Sequence, residues 1–166
     1  MTPITTSLGL SQYPHLLSPL RIGRTMLRNR MIMGSMHTRL DMEENGLHRM
    51  AVFLAERAKG EVGLIITGGY APNTAGLIEP GGPILTEHTQ AWELRRITDA
   101  VHQHCGKICL QVLHAGRYAR QEECLAPSDI RSPFKPLRTT CNDICSNRPD
   151  HFGLCALRDA GQRSRI

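Results

Sequence analysis

Three short apolar runs divide the first 120 residues, and each run stops at small or polar residues. The runs are 31–33 (MIM), 62–66 (VGLII) and 108–113 (ICLQVL), followed in turn by 34–38 (GSMHT), 67–72 (TGGYAP) and 114–118 (HAGRY). Short continuous apolar runs are typical of strands that are buried on both faces of a parallel sheet. The pattern therefore predicts strands over about 30–34, 63–67 and 107–113.

Helical periodicity fills the two intervals between these runs. Met50, Phe53 and Leu54 share one face of a helix predicted over 46–59. The second predicted helix, over 89–104, has an apolar face made of Trp92, Leu94, Ile97, Ala100 and Val101. Gly106 follows it in the position of a C-terminal cap. Strands that alternate with helices predict an α/β fold built from βαβ units.

The remaining local signals are turns and loops. Gly23 separates two short strands predicted near 18–23 and 25–30. Between Pro72 and Pro83, glycine and proline are dense enough to exclude regular structure, so a loop is expected over a strand end. In βαβ folds, ligands bind at the carboxyl ends of the strands. The residues that follow the three apolar runs are therefore the candidates for chemistry.

Length and charge narrow the classes of function. The chain has 166 residues, which suits one domain but is shorter than the roughly 250 residues of a complete (β/α)8 barrel. Residues 131–166 contain 7 Lys and Arg and 3 Asp and Glu. Residues 1–130 contain 13 Lys and Arg and 12 Asp and Glu, so their charges nearly balance. This basic tail has only Phe134 and Phe152 as aromatic residues, so it offers no stacking platform for bases. We expect no nucleic-acid partner.

The sequence also indicates a compartment. We see neither a basic segment followed by an apolar stretch at the start nor an apolar run long enough to span a bilayer. A cytoplasmic protein without a membrane partner is therefore expected. The six cysteines (105, 109, 124, 141, 145 and 155) lack the spacing of a disulfide framework, which favours reduced thiols. His102 and His104 lie two positions apart on a helix and cannot converge on a metal ion.

Gln111 is the most informative single residue of the third run, because it is an amide inside an apolar strand. Burying such a group without a partner costs a few kcal/mol. An amide can both donate and accept hydrogen bonds, whereas an ionised carboxylate can only accept them. Both a structural hydrogen bond and a contact with a bound ligand are open at this stage.

Three strings resemble a known family. They are NRMIMGSMHT (29–38), FLAERAKGEVGLIITGGYAP (53–72) and KICLQVLHAGRYA (107–119). In order and spacing they resemble the Old Yellow Enzyme family of flavin barrels, most closely its bacterial 2,4-dienoyl-CoA reductases. The likeness covers about 14–133, and Gln-x-x-His-x-Gly-Arg after a strand is its most specific element.

The resemblance implies a TIM (β/α)8 barrel that binds FMN, of which this chain carries the first three βα units. It implies NAD(P)H as the reductant and an activated C=C bond, in an unsaturated acyl-CoA or an enone, as the substrate, with a role in fatty acid β-oxidation. Ser35, Met36 and His37 match residues that line the flavin. Gly69 matches a small residue that lets the isoalloxazine approach the backbone, and Gln111 matches the glutamine at the pyrimidine edge.

The resemblance also implies that several functional groups of the family lie outside the matched strings. The proton-donating tyrosine of the family lies on a later strand, so no catalytic residue is assigned and Tyr118 is not taken as one. His114 is expected to support the loop that holds Arg117. The iron–sulfur and FAD segments of the resembled reductases find no match. Cys141, Cys145 and Cys155 do not have the cluster spacing, so no metal site is predicted.

The chain is accordingly divided into a lead-in (1–13), the N-terminal part of an FMN-binding barrel (14–133) and a divergent, irregular tail (134–166). The tail is explained either by a shift of reading frame or by a genuine private end. The expected function is that of an FMN-dependent ene-reductase whose isolated fragment is inactive. The alternatives are a reductase of another substrate class and a non-enzymatic truncated product with at most weak flavin binding.

Overall fold

The computed structural model describes residues 7–122, 124–133 and 140–141. Two short helices, α1 (Ser7–Gln12) and α2 (Pro14–Leu17), precede an antiparallel hairpin of β1 (Leu20–Ile22) and β2 (Thr25–Leu27). Gly23 has a φ of 56°, a left-handed conformation that glycine adopts without strain. The two strands predicted around Gly23 are confirmed.

The central element is a three-stranded sheet. It contains β3 (Ile32–Met33), β4 (Leu64–Tyr70) and β5 (Ile108–Val112), in the order β3-β4-β5. Between these strands lie the helices α3 (Gly46–Lys59) and α4 (His88–His102). This alternation confirms the α/β fold and the three predicted strands.

The sheet is parallel, as the register of its strands indicates. Ile32 pairs with Leu64 in a parallel ladder. The N–H of Ile65 donates to the carbonyl oxygen of Lys107 at 2.8 Å, and the N–H of Leu113 donates to that of Tyr70 at 2.9 Å. Because the residue numbers rise together on both strands, β4 and β5 run in the same direction.

The strand lengths differ from those predicted. β3 is shorter than 30–34 because Asn29, which is buried, takes the N–H of Met31 on its Oδ1 at 3.1 Å. The Nδ2 of Asn29 donates to the carbonyl oxygen of Glu61 at 2.7 Å. β4 continues three residues past the predicted end, through Gly68 and Gly69 to Tyr70.

Two compact units make up the chain. The first contains the residues up to Gly68 together with Leu94–Leu110, and the second contains Gly69–Glu93 and the described residues from Gln111 onward. The core of the first unit includes Ile65, which is 1% exposed. The buried helix residues of this unit include Met50, Ala51, Leu54 and Ala58 in α3 and Leu94, Ile97, Thr98 and Val101 in α4.

Gly106 is required for packing and not for a left-handed cap. The positive φ after α4 belongs to Cys105, at 55°. A Cβ on Gly106 would lie 2.7 Å from Cγ1 of Val101 and 2.8 Å from Cβ of Ala58. The guanidinium of Arg28 donates to the carbonyl oxygens of His104 and Cys105, at 3.0 and 2.6 Å, in the turn that follows this helix.

One aromatic residue was wrongly placed on an apolar helix face. Trp92 is 63% exposed, so its prediction as a core residue of the second helix is wrong. Positions two apart in a helix point about 200° apart. Trp92 therefore cannot share the buried side with Leu94, and Ala91 takes that place. Phe53 is half-buried, and the guanidinium of Arg57 lies 3.6 Å from its ring centroid.

The second unit is built largely from loops. It contains short 3-10 turns at Thr74–Gly76 and Gly116–Tyr118, and a parallel pair of β6 (Leu125–Ala126) and β7 (Thr140–Cys141). β7 lies within the segment predicted to be a divergent tail. The rest of 134–166 lies outside the described residues, so the prediction of an irregular tail stays a prediction.

Two further expectations concern the chain as a whole. Among the residues that the structure describes, no helix has the length and apolar content needed to cross a bilayer. Cys105, Cys109 and Cys124 are free thiols, as predicted. The side chains of the other three cysteines lie outside the described part, and the prediction of reduced thiols is untested there.

Candidate functional site

The segment that follows β3 runs beside the end of β4 in the first unit. A Cβ on Gly68 would lie 2.8 Å from the carbonyl oxygen of Met36 and 3.8 Å from Nδ1 of His37. Ser35 is half-buried, whereas Met36 is 47% exposed and His37 is exposed. The structure thus brings Ser35–His37 together as a strip along β4, with two of its three side chains open to solvent.

Gly68 was not singled out in the sequence, although this strip depends on it. A side chain at Gly68 would collide with the Met36 carbonyl, because 2.8 Å is below the distance that a real Cβ keeps from another heavy atom. The signal that could have revealed it is the Gly-Gly pair at the end of an apolar run. Gly34 lies in open space, since a Cβ there would meet nothing within 4 Å.

The far end of the strip is held by Thr38. Its hydroxyl accepts the N–H of Leu40 at 3.4 Å and lies 3.9 Å from the sulfur of Met50, a buried residue of α3. The strip is therefore anchored on β3 at one end and on α3 at the other. This leaves its backbone a small range of positions.

In the second unit, Gly69 is buried at the end of β4. A Cβ on Gly69 would lie 2.5 Å from Cβ of Leu113 and 2.7 Å from its Cδ2. Gly69 therefore allows the side chain of Leu113 to pack closely against the backbone of β4. Its predicted role beside a flavin is not tested by this contact and stays a prediction.

Gln111 lies in β5, where its neighbours in sequence are Leu110 and Val112. Its side chain is half-buried. Strand alternation directs Gln111 to the face opposite that of Leu110 and Val112. The position suits an amide that presents both donor and acceptor groups at one face of the sheet.

The loop after β5 is fixed by His114. Nδ1 of His114 accepts the N–H of Gly116 at 3.1 Å, and the N–H of Ala115 donates to the carbonyl oxygen of Gly76 at 2.9 Å. These contacts support the interpretation of His114 as a loop-supporting residue.

Two polar residues of the same unit were missed in the sequence. Oδ1 of Asn73 accepts the N–H of Gly76 at 2.8 Å, which closes the turn at Thr74–Gly76. Nε2 of Gln121 donates to the carbonyl oxygens of Thr74 and Ala75, at 2.8 and 3.3 Å. Asn before a Thr-Ala-Gly turn is a recognisable signal for an Asx turn. The contact from Gln121 spans more than 40 residues, and no local pattern reports it.

Tyr118 and Arg117 form an exposed pair in this loop. The guanidinium of Arg117 lies 5.4 Å from the ring centroid of Tyr118, and Nη2 lies 3.5 Å from the hydroxyl. Tyr118 is 52% exposed. Within the described part of the chain, Arg117 is the neighbour that contacts this phenol, and a guanidinium that stays charged does not act as a proton relay.

The fold and these segments define a class of protein. It is a parallel α/β protein in which glycine and polar residues follow the carboxyl end of each central strand, where such folds bind their ligands. The sequence profile of the NADH:flavin oxidoreductase / NADH oxidase family matches residues 15–150, and the chain belongs to this family. The resemblance to Old Yellow Enzymes is confirmed, and the family match continues past residue 133.

Individual relatives agree with this assignment. The chain is 31% identical over 149 residues to the N,N-dimethylglycine/sarcosine dehydrogenase of Chromohalobacter salexigens, covering 78% of this chain and 20% of that protein. It superposes on a 2-naphthoyl-CoA reductase with a TM-score of 0.82 and 20% identity, over 92% of this chain and 26% of the other. For the Old Yellow Enzyme homologue of Zymomonas mobilis, the TM-score is 0.75 and the sequence identity is 24%. The superposition covers 91% of this chain and 46% of that protein.

The chain spans about a fifth of the length of the curated relative named above. Its likeness to these two solved structures is a likeness of fold, since both are under 25% identical to it. The activities in the names of these proteins therefore belong to much longer polypeptides.

Proposed function

We propose that this chain forms the first three βα units of an FMN-binding (β/α)8 barrel and contributes one part of a flavin pocket. The observation that supports this most strongly is the family match over 15–150, together with Gln111 in β5. The whole protein of which such a unit is part would be an FMN-dependent NAD(P)H oxidoreductase of the ene-reductase type.

The chemistry of the residues assigned to the flavin supports this proposal. Such a ring is flat and has donors and acceptors along one edge, so it needs open backbone and an amide. Gly34 offers open backbone, since a Cβ there would meet nothing within 4 Å. Ser35–His37 form a strip with exposed side chains at Met36 and His37. Gln111 offers an amide that can donate and accept.

The roles assigned to these residues are binding and orientation. The Gln111 amide would donate to and accept from the pyrimidine edge, and the Ser35–His37 backbone would border the ring. When bound, FMN supplies the transfer of hydride from NAD(P)H to an activated C=C bond. Thr38 and His114 each accept a backbone N–H within their own segment, from Leu40 and from Gly116.

The substrate class that we favour is an unsaturated acyl-CoA thioester, as in 2,4-dienoyl-CoA reductases, with a conjugated enone as the second choice. The quoted strings match that group most closely, and a 2-naphthoyl-CoA reductase is among the proteins that share the fold. No described residue is assigned to the acyl group. A polypeptide of these 166 residues alone is proposed to be inactive in turnover.

Flavin binding is the property to measure. The purified chain is titrated with FMN, and binding is followed by the quenching of flavin fluorescence. Gln111→Leu removes both the donor and the acceptor, and Gln111→Glu removes the donor, so each is expected to weaken binding about tenfold. Gln12→Leu, at an exposed position of α1, is the matched control and is expected to bind like the parent chain.

Each outcome separates the proposal from its alternative. Saturable binding that depends on Gln111 supports the flavin-pocket assignment. Absence of binding in a folded parent chain, judged by circular dichroism, would instead identify a non-enzymatic product. Binding that both Gln111 variants retain would place the flavin elsewhere and overturn the assignment of this residue.

A further inference from the structure

The loop after β5 carries a cation and an aromatic ring on consecutive residues, Arg117 and Tyr118. The guanidinium of Arg117 lies 5.4 Å from the ring centroid of Tyr118, and its Nη2 lies 3.5 Å from the phenol oxygen. The side chain of Tyr118 is 52% exposed, and that of Arg117 is partly exposed. Both side chains are therefore accessible to a ligand, and the proposed flavin pocket uses neither of them.

Arg117 lacks a carboxylate counter-ion within the part of the chain that the structure describes. Three positions further on, the guanidinium of Arg120 lies 3.9 Å from a carboxylate oxygen of Glu79. Of these two neighbouring cations, one is thus paired with an acidic side chain and the other keeps its charge available. A guanidinium can bind a phosphate through two parallel hydrogen bonds. Arg117 is therefore suited to a phosphate-bearing ligand.

The backbone beneath this pair is held by contacts that involve neither of the two side chains. The N–H of Ala115 donates to the carbonyl oxygen of Gly76 at 2.9 Å, and Sγ of Cys124 donates to that of Gly116 at 3.1 Å. Ala119, which follows the pair, is fully buried. A loop that is already ordered loses little conformational entropy when a ligand binds to it. The cation and the ring are thus presented on a prepared support.

Tyr118 adds a second kind of recognition beside the cation. Nucleic-acid bases stack on exposed aromatic rings, because each base has a flat π-face. The 5.4 Å between the guanidinium and the ring centroid is comparable with the span of a ribose between its base and its phosphate. Both co-substrates of the proposed function, an acyl-CoA thioester and NADPH, carry an adenosine with a phosphate on its ribose. The pair matches this shared group.

We propose that Arg117 and Tyr118 form a recognition site for the phosphorylated adenosine of a co-substrate. The guanidinium binds the ribose phosphate, and the phenol ring stacks on the adenine. This inference rests on the proposed function, which supplies the two candidate carriers of the group, CoA and NADPH. Its ligand is distinct from the flavin, for which Gln111 is the proposed contact.

The test is a calorimetric titration of the full chain with three adenosine probes. Adenosine 3′,5′-bisphosphate represents the CoA end, adenosine 2′,5′-bisphosphate represents the NADPH end, and adenosine itself lacks phosphate. We expect saturable binding of at least one bisphosphate, and the tighter of the two identifies the carrier. Arg117→Gln removes the charge and is expected to weaken that bisphosphate about fivefold to tenfold without affecting adenosine. Tyr118→Leu removes the ring and is expected to weaken both about fivefold.

Matched controls separate these effects from general changes of charge and surface. Arg24→Gln and Tyr13→Leu make the same substitutions at exposed positions outside the loop and are expected to bind like the parent chain. Arg117→Lys keeps the charge and is expected to retain most of the affinity. Circular dichroism verifies that every variant is folded. A folded parent chain that binds neither bisphosphate would overturn the proposal, and so would Arg117→Gln binding as the parent or as Arg24→Gln does.

A parallel titration with FMN distinguishes this inference from the proposed function. Arg117→Gln is expected to bind FMN as the parent chain does. A loss of FMN affinity in this variant would make Arg117 a ligand of the flavin phosphate and would overturn the adenosine site. Unchanged FMN binding in the Gln111 variants would instead contradict the flavin pocket, and the bisphosphate titrations would still decide the role of Arg117 and Tyr118.

Discussion

Replacing Gly69 with alanine tests how closely the end of β4 packs against the segment that follows β5. The new Cβ would lie 2.5 Å from Cβ of Leu113 and 2.7 Å from Cδ2. A rotamer change at Leu113 can move Cδ2, but Cβ is bonded directly to the backbone. The backbone must therefore shift by about 1 Å to reach an ordinary carbon–carbon contact.

The cost follows from this shift. Overpacking of a core by one methyl group costs about 1–3 kcal/mol. Alanine has less conformational freedom than glycine in the unfolded chain, and this difference stabilises the folded state by about 0.4–1 kcal/mol. We expect Gly69→Ala to lower the free energy of unfolding by roughly 1–2 kcal/mol. Urea titration followed by far-ultraviolet circular dichroism would record a midpoint lower by roughly 0.5–1 M.

Three further variants assign the effect to Leu113. Gly34→Ala places a Cβ where nothing lies within 4 Å, so its midpoint should equal that of the parent or lie slightly above it. In the Gly69→Ala background, Leu113→Ala relieves the Cδ2 contact and leaves the Cβ contact, whereas Leu113→Gly relieves both. Equal midpoints for Gly69→Ala and Gly34→Ala would refute the packing argument.

Two other predictions concern the first unit and the thiols. Arg28→Ala removes the donors from two carbonyl groups after α4 and is expected to destabilise the chain by about 1 kcal/mol in urea titration, while Arg24→Ala, at an exposed turn position, should not change the midpoint. In a brief iodoacetamide pulse, Cys105 and Cys109 should be alkylated within the folded chain and Cys124, which is 2% exposed, should be protected until urea is added. Peptide mapping reads the labelling, and rapid alkylation of Cys124 without urea would contradict the structure of the second unit.

The sequence was sufficient for the order of the central elements, because burial imposes a simple pattern on them. Strands inside a parallel sheet read as apolar runs, and α3 and α4 bury one side each. What failed were details of single positions that the overall apolar pattern does not encode. β3 begins only at Ile32 because the side chain of Asn29 takes the N–H of Met31. Trp92 was assigned to the apolar face of the second helix, yet its position on α4 is opposite to that of Leu94 and its side chain is exposed.

The candidate site was predictable only in part, for the same reason. Ser35–His37 could be placed after β3, and the structure brings these residues together. The need for Gly68 appears only when the Met36 carbonyl is seen beside it. Gln121 acts on a turn more than 40 residues away, which no local period encodes. The roles of Gly69 and Gln111 toward a flavin came from the family resemblance and await measurement.

Hydrogen–deuterium exchange of the full chain with and without saturating FMN tests the central claim most directly. If the flavin lies at the carboxyl ends of the strands, FMN should slow exchange in 34–38 and 111–117. The helical peptides 48–55 in α3 and 96–103 at the end of α4 should exchange at the same rate in both samples. Protection confined to those helical peptides, or no change anywhere at saturating FMN, would contradict the account.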